Sequence, residues 1–116
     1  MKIVEKSRQM TVSEMYKMTR ATDIRKMEMA QGSRLNVDDF ILFEDEKIDK
    51  KTGEASIVTV LAVRDGNDVF ATISATFKEE FFAIKAMCEE AGEKFDHVDV
   101  TSGTSRNGRN FITCSF

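Results

Sequence analysis

Residues 55–76 read ASIVTVLAVRDGNDVFATISAT, and the fold class turns on this stretch. Ala55 to Arg64 is nearly all apolar and rich in β-branched residues, so it reads as a strand. Asp65-Gly66 opens a turn of the kind that closes a hairpin. From Val69 to Thr76 the chain alternates, with Val69, Ala71, Ile73 and Ala75 on one face of a second strand. Phe70, Thr72, Ser74 and Thr76 fall on the other.

Upstream, Asp38 begins a period-two pattern through Phe40-Ile41-Leu42-Phe43 toward Ile48, and Lys51-Thr52-Gly53-Glu54 turns the chain into Ala55. Downstream, Thr76-Phe77-Lys78-Glu79 has the form of a helix capping box. Phe81, Ile84, Cys88 and Ala91 then share one helical face until Gly92, which predicts a helix of about 14 residues. Phe95 to Ser102 and Phe111 to Phe116 alternate as two further strands around a polar loop, Gly103 to Asn110. Near the start, Thr11-Val12-Ser13-Glu14 is a second capping box, and Met15 and Met18 follow on the face of Val12, predicting a helix over 12–21. Periodicity leaves Thr22 to Arg34 open between a continued helix and an irregular arm.

The order is therefore β-β-β-α-β-β behind an added N-terminal helix. Five strands with a helix between the third and fourth match an OB-like barrel, with a β-grasp or another small α+β fold as the competitor. One domain spans 1–116, divided into a basic helix or arm (1–37) and the barrel (38–116).

The net charge of −3 argues against a simple polybasic binder, yet the basic charge is concentrated at the two ends of the chain. Residues 1–37 hold eight Lys/Arg against four Asp/Glu, whereas 38–54 hold three against seven and 55–99 four against nine; beyond 99 only Arg106 and Arg109 are charged. Local fields steer polyanions more than the total does. Cys88 and Cys114 are the only cysteines, without zinc spacing around the single His97, so neither a metal site, a cofactor nor a disulfide scaffold is expected. The first residues lack an apolar targeting core and no window is long enough to span a bilayer, which points to a cytoplasmic protein. No P-loop, HExxH, GxSxG or GxGxxG pattern is present, so an enzyme is not expected.

The run Thr59 to Ser74, followed by a helix and then by Val98-Asp99-Val100-Thr101-Ser102-Gly103-Thr104-Ser105 with Gly108 and Phe111, resembles the single-stranded-DNA-binding proteins of small protein-primed tailed phages. The most specific part is the ending, in which alternating valines lead into G-T-S-x-x-G-x-x-F. The resemblance implies an OB-fold protein that coats displaced DNA during phage or mobile-element replication in a bacterial host cytoplasm. It also implies aromatic side chains that stack on bases. Two of the family's tyrosine positions fall on Phe43 and Phe70; a third falls near Lys50, which has no ring.

On these grounds Phe70 is the first candidate platform, a single large ring in a row of small hydroxyl residues, with Thr72 and Ser74 as donors to sugar or phosphate. The alternative is a core ring beneath the N-terminal helix. Phe43 is open in the same way, because Phe40 and Leu42 occupy the opposite face. Arg106 and Arg109 flank a glycine-containing loop suited to phosphate contact, and Arg20, Arg25, Lys26 and Arg34 are candidates for an electrostatic track. The expected partner is single-stranded DNA, with replication proteins beside it and the protein itself a monomer or weak oligomer. The competing function is an adaptor that binds a protein through the acidic region 38–54.

Overall fold

In the computed structural model, which describes all residues from 1 to 116, the chain runs β1 (Lys2–Lys6), α1 (Val12–Thr19), β2 (Arg25–Lys26), a 3-10 turn (Met27–Ala30), β3 (Arg34–Asn36), β4 (Asp39–Ile48), β5 (Ala55–Asp65), β6 (Asp68–Thr72), α2 (Ala75–Ala91), β7 (His97–Thr104) and β8 (Asn110–Ser115). It is an α+β protein, mostly strand, with two sheets in the orders β1-β4-β5-β6-β2 and β3-β7-β8.

No closed barrel forms, which corrects the five-stranded barrel expected from the pattern. At Val37-Asp38 the chain crosses between sheets: the Val37 amide donates to the Asp96 carbonyl and the Asp38 amide to the Arg64 carbonyl. On the far side β6 stops at Thr72 and turns into α2, so no ladder joins it to β8. A single side-chain bond, Ser74 Oγ donating to the Ile112 carbonyl at 3.2 Å, spans that seam.

The register explains why a two-face reading of β6 fails. Val63 pairs with Phe40 and Phe70, and Leu61 with Leu42 and Thr72, so these residues share one face. That face packs on Phe77, Phe81, Ile84 and Cys88 of α2 and on Val98, Val100, Ile112 and Cys114 of the smaller sheet. Phe40 meets Phe81 edge to face at 5.5 Å between ring centres. The opposite face carries Ile41, Phe43, Ala62 and Val69, which form a second core with Met18 and, at its margin, Met10, Met15 and Ile24. Apolar residues are therefore needed on both faces, and Ile73, expected inside, lies just beyond β6 and is exposed.

α1 begins as the sequence predicts: Thr11 Oγ1 accepts from the Glu14 amide while Glu14 accepts from the Thr11 amide. α2 begins two residues earlier than the Thr76 capping box requires. Ser74 caps it instead, its hydroxyl accepting from the Phe77 amide at 3.2 Å, and the helix runs 17 residues to Gly92, whose φ of 71° gives the left-handed terminus. The stretch left open, 22–34, resolves into β2 and the 3-10 turn leading to β3. β1, with charged residues at alternate ends, gives no strand signal of its own; it exists because β4 offers it an edge, with a bulge between Ile3 and Glu5.

A buried carboxylate fastens α1 and its leader to the sheet. The Asp39 side chain is 3% exposed and accepts from Ser7 Oγ at 3.1 Å, Arg8 Nε at 2.8 Å and Arg64 Nη2 at 2.8 Å. Burial alone raises its pKa, but these donors prevail and hold it below the ordinary carboxylate range. Arg8 reaches onward to Glu14 in the first turn of α1, and that hydrogen bond brings the Glu14 pKa down to about 2.

Candidate nucleic-acid interface

Where α1 ends, the outer face of the larger sheet opens into a groove of about 830 Å³. Val60 of β5 and Ala71 of β6 provide small apolar residues, and Thr72, Ile73 and Ser74 carry the lining to the seam. Asn110, Phe111 and Ile112 of β8 form the far wall, Lys47 of β4 and Lys26 of β2 add cations, and Glu28 adds one carboxylate.

Phe111 is the aromatic of this groove. Its neighbours Ile112 and Cys114 are buried on the core side of β8, so alternation turns Phe111 outward, where it is half-buried. It pairs across the ladder with Gly103. A Cβ built on Gly103 would lie 2.7 Å from Phe111 Cε2, so the ring occupies the space that any larger residue would need. The glycine thus supports a flat aromatic surface on the outside of the sheet. Sequence reasoning noticed Gly103 and Phe111 but not their relation. The eight-residue spacing reveals a pair only once the turn between β7 and β8 is known to tighten at Ser105–Arg109, where the Ser105 amide donates to the Arg109 carbonyl at 2.8 Å.

The predicted residues divide sharply. Phe43 is only 3% exposed beneath α1, so its ring has no face free for a base; packing against Met18, Ile41 and Val69 makes it core. Phe70 faces inward beside Val63 and packs half-buried against the main core, away from the groove. The row expected to present a ring to solvent is the row that the smaller sheet and α2 cover. Thr72 and Ser74 do line the groove, but their hydroxyls serve the fold. Thr72 Oγ1 accepts from the Ser74 amide at 3.0 Å, and Ser74 Oγ both caps α2 and bridges to β8.

Among the basic candidates, three are matched by carboxylates: Arg20 with Asp45 at 3.9 Å, Arg25 with Asp68 at 3.5 Å and Arg34 with Asp99 at 3.1 Å. Each of these three cations thus shares its charge with a neighbouring carboxylate. Lys26, Lys47, Arg106 and Arg109 make no ion pair. Two of these line the groove, and the two arginines stand exposed on the turn leading into Asn110. No helix is long and apolar enough to cross a membrane, and no cluster of three or more His, Cys, Asp or Glu side chains is placed to hold a metal ion. No protein-family model, curated protein or solved structure matches this chain.

Proposed function

We propose that the protein binds single-stranded nucleic acid, without sequence preference and without catalysis, along the groove between β5–β6 and β8. One observation carries this: the groove lies over the second and third strands of the β4-β5-β6 meander, and its lining extends to Lys47 on the β4 arm of the β4–β5 hairpin and to Asn110, the first β8 residue after the β7–β8 turn. Those are the face and the two loops that a partly open OB-like barrel uses for oligonucleotides. In this interpretation β3 and β4 act as one bent strand shared by both sheets, and the seam between β6 and β8 is the barrel's opening.

Phe111 supplies a stacking face that every base can use, and Val60, Ala71 and Ile73 supply apolar contact for sugar rings. Lys26, Lys47, Arg106 and Arg109 meet phosphates, which position a strand without reading its sequence. Duplex DNA keeps its bases stacked inside and cannot use Phe111. Coating of displaced strands during phage or mobile-element replication is the biological role that fits this chemistry.

Titration with labelled oligo(dT) and with duplex of equal length, at several salt concentrations, tests the proposal. Single strands are expected to bind well and duplex poorly, with affinity falling as salt rises. Phe111→Ala is expected to weaken oligo(dT) binding by about five-fold to a hundred-fold, the loss of roughly 1 to 3 kcal/mol of stacking, and Phe111→Tyr to bind like the wild type. Equal affinity for duplex, or full binding by Phe111→Ala, overturns it.

A further inference from the structure

Tyr16 is the one tyrosine of a chain without tryptophan, and at 58% exposure its ring is more open than that of any phenylalanine. A single exposed ring is ordinary on a protein surface. What distinguishes this one is the direction in which α1 holds it.

α1 lies on the outer face of the larger sheet, with Met18 buried and Met15 at the margin of the second core. Glu14, Lys17 and Ala21 line a cavity together with Arg64, Gly66 and Asn67, so this flank of the helix faces the β5–β6 turn. Val12, Tyr16 and Thr19 follow one another at helical spacing and form the opposite flank. That flank therefore faces down the strands toward the β4–β5 hairpin, the direction in which the groove opens.

The side chains between α1 and the groove leave this approach usable by a polyanion. Arg20, just past the helix end, pairs with Asp45 at 3.9 Å. Asp45 and Lys47 share the outer face of β4 with their partners Val58 and Ser56, while alternation turns Glu44 and Glu46 to the other face. The β4 carboxylate nearest the helix thus shares its charge with an arginine, and the next charge along the face is the unpaired Lys47. Met15, the neighbour of Tyr16, packs at the margin of the same core as Val60 and Ala71, the apolar floor of the groove. An aromatic stands at each end of that floor, Phe111 across the seam and Tyr16 on α1.

We propose that Tyr16 is a second stacking platform, so that a single strand in the groove stacks one base on Phe111 and another, further along the same strand, on Tyr16. The inference rests on the groove being the nucleic-acid site. Stacking on a ring tolerates any base, so a second platform adds affinity without adding sequence preference. Lys47, past Asp45 on the same face, meets a phosphate of the backbone between the two stacked bases.

The fluorescence of this chain in the tyrosine band comes from Tyr16 alone, so emission reports on that ring directly. Labelled oligo(dT) is titrated at one fixed salt, with label anisotropy and tyrosine emission followed in parallel. Emission is expected to be quenched, and to saturate at the oligonucleotide concentration at which the label signal saturates. Tyr16→Ala should bind about five-fold to a hundred-fold more weakly and Tyr16→Phe like the wild type, and both should melt with the wild type because the side chain is exposed. Phe111→Ala, saturated with oligo(dT), should still show the quenching. Full binding by Tyr16→Ala, unchanged emission from the saturated wild type, or a loss in Tyr16→Phe equal to that in Tyr16→Ala overturns the role of Tyr16; binding that still depends on Phe111 then leaves the groove in place as the site. A wild type that binds no oligo(dT) overturns both.

Discussion

One face of the β4-β5-β6 meander is used in two ways along its length. Under α1 it carries Ile41, Phe43, Ala62 and Val69, sealed by Met18 and flanked by Met15. Beyond α1 it carries Lys47 with Val60 and Ala71, half-buried at the margin of that cluster and lining the groove that Phe111 borders across the seam. Small and β-branched apolar residues do not separate the two halves, since Ile41, Ala62 and Val69 lie in one and Val60 and Ala71 in the other. The difference is the cover: an aromatic beneath a helix is core, and an aromatic beside an uncovered strip is a surface.

The comparison is broken most severely at Phe43. Replacing a fully buried ring leaves a cavity as well as removing burial, so Phe43→Ala is expected to cost about 3 to 5 kcal/mol in denaturant unfolding. Oligo(dT) binding by the folded fraction should stay intact. If Phe43→Ala instead kept its stability and lost binding, α1 would be a removable lid and Phe43 part of the interface. Phe70→Ala should cost less than Phe43→Ala, because its ring is only half-buried, and should likewise spare binding.

Next in size is the anchor that holds α1 over the covered half. Asp39→Asn removes the charge that satisfies Arg8 and Arg64, and is expected to cost about 2 to 3 kcal/mol. The acid limb of stability tests the same anchor. Both Glu14 and Asp39 have folded pKa values below their ordinary ones, so the stability they contribute is complete above the ordinary carboxylate range. It is lost as pH falls from near 4.5 toward about 2, the folded value of Glu14. Thermal melts between pH 6 and pH 2 should show that decline in the wild type and a shallower one in Asp39→Asn. Identical slopes would remove Asp39 from the anchor.

The smallest effect on the fold is expected on the open half. Arg106→Ala with Arg109→Ala removes two exposed, unpaired guanidinium groups and should leave the melting temperature within a few degrees. Binding should weaken alike for all sequences, and the slope of log affinity against log salt should shrink by about two. An unchanged slope would take the β7–β8 turn out of the interface.

Much of the architecture was legible in local chemistry. The Thr11 capping box, the Asp65-Gly66 turn, the Gly92 helix end and the order of the five main strands rest on contacts within a few residues, and sequence spacing records these directly. The barrel was not legible in the same way. Its closure depends on whether β6 continues alongside β8, and Ser74 ends β6 by capping α2, where Thr76 was the expected cap. β1, β2 and β3 were missed because each is stabilised by a neighbour distant in sequence, such as Glu44 for Lys2 or Asp99 for Arg34.

By itself, then, the sequence determined a small domain dominated by strands, the positions of its two helices, and a basic turn at Arg106 and Arg109 with an aromatic close behind; the two-sheet α+β arrangement in place of the expected all-β barrel came from the tertiary structure. Only the tertiary structure decided which rings are free. Alternation states that Phe43 and Phe70 each lie on some face of a strand, but both faces of this meander are covered in part, one by α1 and the other by α2 and the smaller sheet. The remaining uncovered strip lies where α1 stops, and the aromatic beside it, Phe111, is held outward by Gly103 on a neighbouring strand. Exposure is a property of what packs where, and packing partners remote in sequence leave no periodic mark on the residues that they cover.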